Sequence, residues 1–289
     1  MIFKVTYLSD DLKVIGYLAL PSRLTGIHAE YWLTQLKLES SVINAELIAC
    51  YCDSPKSPAD NLDPLPVELP LLVYCRGGIG RVGAVRMDWL QQFAGHGCIV
   101  FAPAYRGNEG SEGRDEFGGS DMQDVLNALH WLKRLEWINP ERIHFLGFSR
   151  GTINAAYAAV HAEKAASLIL WGGVSDLALT YEERVDLRRM MKRVIGGTPA
   201  KYPERYEKRS PVHYVPLLNC PVLIVHGSKD HQVSIQHAYL MYKRLQEHGK
   251  KADMHIYEDL GHHLPLQIHL ECITRMFEWI SKVTPQPHK

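Results

Sequence analysis

The chain has 289 residues, 46% of them hydrophobic, and its 32 basic side chains balance 32 acidic ones. That length fits one large domain or a domain with a modest extension, enough to bury a full core around a large sheet. Balanced charge gives no electrostatic footprint for nucleic acid or an anionic membrane surface, and no apolar run approaches membrane-spanning length.

The opening residues, Met1-Ile2-Phe3-Lys4-Val5-Thr6-Tyr7, lack the apolar stretch of a signal peptide. Residues 2–8 and 12–20 are rich in β-branched and aromatic side chains and are parted by Ser9-Asp10-Asp11, so they predict two strands joined by a turn. The pattern from 21 to 42 is less regular, and residues 30–36 fit either a short helix or a strand. Residues 45–52 read as strand and the proline-rich stretch 53–70 as loop. Residues 1–70 are thus expected to form an antiparallel edge and cover for a larger sheet.

From residue 71 the rhythm changes. Leu71-Leu72-Val73-Tyr74-Cys75 is a buried strand, followed by the glycine loop Arg76-Gly77-Gly78-Ile79-Gly80 and a helix over 84–96. Strands follow at 98–102, 143–146, 167–171, 221–226 and 254–257, with helices at 119–135, 151–161, 235–248 and 266–282. The charged stretch 177–195 reads as helical, and 175–215 as a cap over the strand ends. Apolar runs alternating with amphipathic helices predict a mainly parallel sheet covered on both faces. Ligands of such sheets sit at the carboxyl ends of the strands. The six cysteines are scattered, four of them in apolar runs, and read as reduced core thiols of a cytoplasmic protein. Cys50-Tyr51-Cys52 is too tight for the usual zinc spacing.

The chemistry centres on Gly147-Phe148-Ser149-Arg150-Gly151, a G-x-S-x-G sequence between an apolar run and an Ala-rich helix. In that setting a sharp turn lifts the serine hydroxyl clear of the sheet. A serine is a poor nucleophile at neutral pH and needs a base, and the base needs an acid to fix its tautomer. Asp230 follows the strand that ends at His226, and His262 follows the last strand through Glu258-Asp259-Leu260-Gly261. Ser149, Asp230 and His262 are therefore the expected nucleophile, acid and base; Asp176 is the alternative acid and His263 the alternative base. The backbone N–H groups of Gly78 and Arg150 are the expected oxyanion donors. Asp230, His231, His262 and His263 could also be imagined around a metal, but a base with its acid accounts for them together with the serine, so neither metal nor cofactor is expected.

These residues resemble the catalytic domain of the prolyl oligopeptidase family of α/β-hydrolases. The likeness extends to Pro103-Ala104-Tyr105-Arg106-Gly107 with Gly110-Ser111-Glu112-Gly113, to Phe117-Gly118-Gly119-Ser120-Asp121, to Arg209-Ser210-Pro211-Val212-His213-Tyr214, and to Pro221-Val222-Leu223-Ile224-Val225-His226-Gly227 before Asp230. It covers about residues 70–282 and implies an α/β-hydrolase fold and a serine hydrolase that cleaves a peptide or ester through an acyl-enzyme. Small esters or short peptides are the implied substrates, and the chain carries no signal for an oligomeric state.

Three departures bear on the substrate. The chain leaves no room for the family's N-terminal β-propeller, which opens the site to small esters as well as peptides. Arg76 stands where the family has histidine before two glycines, and Arg150 follows the nucleophile where tyrosine or alanine is frequent. Either arginine could hold a substrate carboxylate or phosphate, or sit in a structural ion pair. A carboxylesterase or acyltransferase with the same three residues, or a non-catalytic binding protein on the same fold, are the alternative readings.

Overall fold

The computed structural model describes residues 1–24, 28–50 and 68–284. Strands β1 (Ile2–Ser9) and β2 (Leu12–Ala19) form a hairpin in register from Ile2↔Ala19 to Ser9↔Leu12. Its two turn residues, Asp10 and Asp11, both have positive φ, 48° and 64°, the mirror-image turn that matches strand twist and that aspartate tolerates. Residues 30–36 are helical, within α1 (Ala29–Leu38): Trp32 and Leu36, one turn apart, are both fully buried on its inner face. Strand β3 (Val42–Ala49) then pairs antiparallel with β1.

The stretch read as loop over 53–70 lies mostly outside the described residues, but its last two residues, Leu69 and Pro70, already belong to β4 (Leu69–Cys75). There follow α2 (Met87–Ala94), β5 (Ile99–Pro103), α3 (Asp121–Leu132), β6 (Ile138–Phe148), α4 (Gly151–His161) and β7 (Ser167–Trp171). The expected helix over 177–195 is two helices, α5 (Leu177–Glu183) and α6 (Arg188–Ile195), separated where Arg184 leaves helical geometry at φ −107°, ψ 75°. A short α7 (Pro203–Glu207), unforeseen in the sequence, completes this segment before β8 (Val222–Gly227), α8 (Gln236–Glu247), β9 (Ala252–Tyr257) and α9 (Leu266–Val283).

The nine strands form one sheet in the order β3-β1-β2-β5-β4-β6-β7-β8-β9. Strands β4 to β9 are parallel and the first three antiparallel. Chain order reverses at β4, which feeds β5 on one side and stands beside β6 on the other. The crevice at that switch point is where a ligand site is expected in such sheets. Side chains alternate across the sheet: Leu71 and Val73 join the core beneath α1, α3 and α4, whereas Leu72 and Tyr74 join the core beneath α2 and α9. A third, smaller cluster gathers Leu177, Tyr181, Met191, Ile195 and Tyr206 against Phe117 and Ile153 at the strand ends.

Cys75, Cys98, Cys220 and Cys272 are buried and form no disulfide. Cys50, in contrast, is disulfide-bonded, which corrects the expectation of a reduced core thiol there; it lies exposed just beyond the edge strand, outside the core. Cys52 falls outside the described residues. Among the described residues no helix is long and apolar enough to cross a membrane.

Candidate active site

Ser149 sits between the end of β6 and the start of α4 with φ +55°, a left-handed conformation that costs a non-glycine residue free energy and must be imposed by its surroundings. The flanking glycines permit the imposition. A Cβ on Gly147 would come within 2.5 Å of Thr152 Cα, and one on Gly151 within 2.0 Å of the Cys75 carbonyl oxygen, so any side chain would force α4 away from β4. Ser149 N–H donates to the Trp171 carbonyl at 2.9 Å, and the Ser149 carbonyl accepts from Thr152 Oγ1 at 2.8 Å. The elbow is thereby fastened to β7 and to its own helix.

The glycine loop after β4 crosses in front of this serine: a Cβ on Gly77 would lie 2.8 Å from Ser149 Cβ. Gly78 has φ +68°, and a side chain there would meet Gly83 Cα and the Val82 carbonyl at 2.8 Å. Among the described residues the N–H groups of Gly78 and Arg150 donate to no backbone or side-chain acceptor, whereas the Gly78 carbonyl accepts from Arg150 Nη1 at 2.8 Å.

Both arginines line the cavity beside Ser149 and are engaged by groups of the fold. Arg150 is 2% exposed. Its Nη2 donates to Asp115 Oδ1 at 2.8 Å and Asp121 Oδ2 at 2.6 Å, and its Nη1 to Asp115 Oδ2 at 3.0 Å. Asp121 also accepts from the Asn154 amide and from the N–H groups of Gly118 and Gly119. Burial alone would raise the Asp121 carboxyl, but the Arg150 charge and these donors hold it below its ordinary value. Arg76, also buried, donates to the carbonyls of Gly77 at 2.9 Å and Ala104 at 2.7 Å. The Tyr105 ring lies between the two guanidiniums, 4.8 Å from Arg76 and 4.9 Å from Arg150. Both side chains brace the loop that carries Gly78.

Asp230 and His262 come from the loops after β8 and β9. Those loops are laced together: Lys229 N–H donates to the Leu260 carbonyl at 2.8 Å, and a Cβ on Gly227 would strike that same carbonyl at 2.4 Å. His262 Nδ1 meets Asp230 Oδ2 at 2.7 Å, and Asp230 Oδ1 accepts from the N–H groups of Gln232 and Val233 at 2.8 and 2.9 Å. Burial would raise the Asp230 carboxyl; the His262 hydrogen bond and charge, with the two N–H groups, outweigh it and hold the group below its ordinary value. The alternatives do not join this pair. Asp176 caps α5, its Oδ1 accepting from Ala178 and Leu179 N–H at 2.8 and 3.0 Å. His263 packs on Phe148 with ring centroids 5.5 Å apart and makes no hydrogen bond to Asp230.

Ser149 and His262 line one cavity of about 270 Å³ together with Gly77, Gly78 and Arg150, and no hydrogen bond joins the serine hydroxyl to the imidazole in this arrangement. The far wall comes from the 177–195 segment through Thr180, Arg184, Leu187 and Met190. Sequence reasoning had named none of these four, because nothing local marks which turn of a charged helix faces inward. It placed His226 in the segment before Asp230 without giving it a role; its Nε2 lies 2.8 Å from the Val233 carbonyl and 3.5 Å from Asp230 Oδ2. Among the described residues no three His, Cys, Asp or Glu side chains converge as metal ligands would.

The sequence profile of the prolyl oligopeptidase family matches residues 85–286. A Bacillus subtilis (strain 168) protein named uncharacterized peptidase YtmA is 46% identical over 217 residues, 75% of this chain and 84% of that one. Dipeptidyl-peptidase 5 of Porphyromonas gingivalis is 27% identical over 211 residues, and the match spans 68% of this chain but only 30% of the relative. Among solved structures, Pyrococcus horikoshii acylaminoacyl peptidase superposes with a TM-score of 0.73 at 20% identity, covering 100% of this chain and 43% of that one. The last likeness is one of fold.

Proposed function

The chain belongs to the prolyl oligopeptidase family, and we propose that within it the protein is a serine hydrolase using Ser149, His262 and Asp230 to cleave a peptide or ester through an acyl-enzyme. The observation that carries this reading is the 2.7 Å contact of His262 Nδ1 with Asp230, on the rim of the cavity that also holds the strained Ser149. Asp230 fixes the proton on Nδ1 and leaves Nε2 as the base. Ser149 Oγ attacks the substrate carbonyl carbon while its proton passes to His262 Nε2. The N–H groups of Gly78 and Arg150 receive the charge that develops on the carbonyl oxygen. The tetrahedral adduct then collapses, the bond to the leaving nitrogen or oxygen breaks, and His262 returns the proton to it. Water, deprotonated by the same imidazole, releases the acid and regenerates the hydroxyl.

In this reading residues 175–215 act as a cap that shapes the acyl side of the cavity, and the peptidase names of the relatives favour short peptides over esters. The test is a matched panel of p-nitrophenyl esters and aminoacyl p-nitroanilides, run with wild type and Ser149→Ala and paired with labelling by a fluorophosphonate probe. We expect labelling of wild type alone and loss of at least 10³-fold in kcat for Ser149→Ala. Full turnover by the alanine variant would discard the proposal.

A further inference from the structure

Past His262 the structure holds a second cavity, of about 180 Å³, and Arg86, Trp89, His262 and His263 line both it and the Ser149 cavity. Its floor is aromatic: Trp89 stacks on Trp171 with centroids 4.9 Å apart at 15° and lies 4.7 Å from the His269 ring. Leu264 and Leu266 add an aliphatic wall. The Arg86 guanidinium sits 5.3 Å from the centre of the Trp89 ring. Its Nε and Nη2 hold Asp88 at 3.2 and 2.6 Å, but Nη1 has no hydrogen-bond partner among the described residues. The Arg86–Asp88 pair is exposed, at 54% and 51% of the two side chains, so it leaves the cation available to another anion.

The position of this cavity matters because the imidazole that protonates the departing group must lie beside it. The leaving nitrogen is bonded to the carbonyl carbon that Ser149 attacks, so it lies beside Ser149 and His262 Nε2, and the rest of the leaving group runs from there into the second cavity, which His262 also lines. Among the described residues, Asp88 is the only acidic side chain lining either cavity. A cationic terminus would find no unpaired counter-charge here, whereas a carboxylate would meet the free edge of Arg86.

Resting on the serine-hydrolase reading above, we propose that this second cavity is the leaving-group site and that it takes an amino acid with an apolar side chain and a free α-carboxylate. Trp89 and Trp171 receive the side chain and Arg86 the carboxylate. In the acylation step the amide C–N bond breaks as the Ser149 Oγ–C bond forms, and the proton carried by His262 Nε2 goes to the departing amino nitrogen. The field of Arg86 already acts on this cavity: burial first, and then that charge, lowers His269 to about 4. An arginine fork matches a carboxylate in plane, and such a charge-assisted pair amounts to about tenfold in affinity.

The experiment compares N-acetyl-alanyl-phenylalanine with its C-terminal amide, using wild type, Arg86→Gln and Arg86→Lys, with p-nitrophenyl acetate as a substrate that has no carboxylate. Wild type is expected to favour the acid over the amide by about tenfold in kcat/KM, chiefly through KM. Arg86→Gln should bring the ratio close to one, and Arg86→Lys should restore part of it. Equal rates on acid and amide, or a preference that survives Arg86→Gln, would overturn the inference. So would failure to cleave the acid while p-nitrophenyl acetate is turned over through Ser149, an outcome that leaves the serine-hydrolase reading intact. No turnover of any substrate together with no fluorophosphonate labelling would fail that reading and the inference with it.

Discussion

The hydrogen bond between Asp230 and His262 sets what a single atom can do at this site. Asparagine at 230 would keep the shape and the Oδ1 contacts with Gln232 and Val233 N–H, but its amide could face Nδ1 only as a donor or as a weaker acceptor. The imidazole would then favour the wrong tautomer. Asp230→Asn should therefore lower kcat by about 10³ to 10⁴ with a small change in KM, as steady-state kinetics on the best substrate of the panel would show; a change below tenfold would argue that the pair only holds two loops together. These residues were legible because G-x-S-x-G and two strand-end loops announce themselves locally. The side chains of Arg76 and Arg150 were not. A sequence shows that a position is cationic but not its partner, and the counter-ions of Arg150 stand 35 and 29 residues away.

At the scale of elements, the Arg150 cluster ties several of those that meet at this site. From the first turn of α4 it reaches Asp115 in the loop after β5, Asp121 at the start of α3, and the Gly78 carbonyl after β4. Arg106 plays a similar part further out, joining Asp124 of α3 at 2.7 Å to Asp10 in the β1–β2 turn at 2.8 Å. Removing Arg150 would leave Asp115 and Asp121 buried without their counter-charge. Arg150→Ala should cost about 3–5 kcal/mol of stability, read from urea unfolding, and should also weaken turnover by loosening the Gly78 loop; a loss under 1 kcal/mol would mean that neighbouring N–H groups alone satisfy the two aspartates. The strands of the parallel half were readable as apolar runs because both of their faces are buried. The α5–α6 break and α7 were not readable, since they follow from how residues 177–207 drape over Phe117 and Ile153. Nor could composition distinguish helix from strand over 30–36, where pairing of β3 with β1 decides by carrying the chain back across the sheet edge.

Across the whole molecule, burial decides how the folded state responds to acid. His144, His237 and His269 are 2%, 0% and 5% exposed, and burial, with neighbouring positive charge at His144 and His269, lowers each to about 4. In the unfolded chain the same groups protonate near pH 6.5. Between about pH 6.5 and 4 the unfolded state therefore binds protons that the folded state refuses, and stability falls as pH falls, by up to about 1.4 kcal/mol per pH unit for each group. Below about pH 4 a second set acts in the same sense. The Asp121 and Asp230 carboxyls are held below their ordinary value, so the stability they contribute is present above that value and is lost as pH drops through their folded ones. The expected result is a melting temperature that declines from pH 7.5 to pH 5, steepening below pH 6.5, in low-salt scans at fixed protein concentration. His237 shows where the proton cannot go: its Nδ1 accepts from Ser175 N–H at 3.2 Å inside a cavity too small to hydrate a cation. His237→Gln, which keeps an acceptor and cannot titrate, should flatten part of the decline, and a pH profile unchanged by that substitution would assign the acid sensitivity to the other histidines that burial lowers, His144 and His269 with His96, His226, His255 and His263.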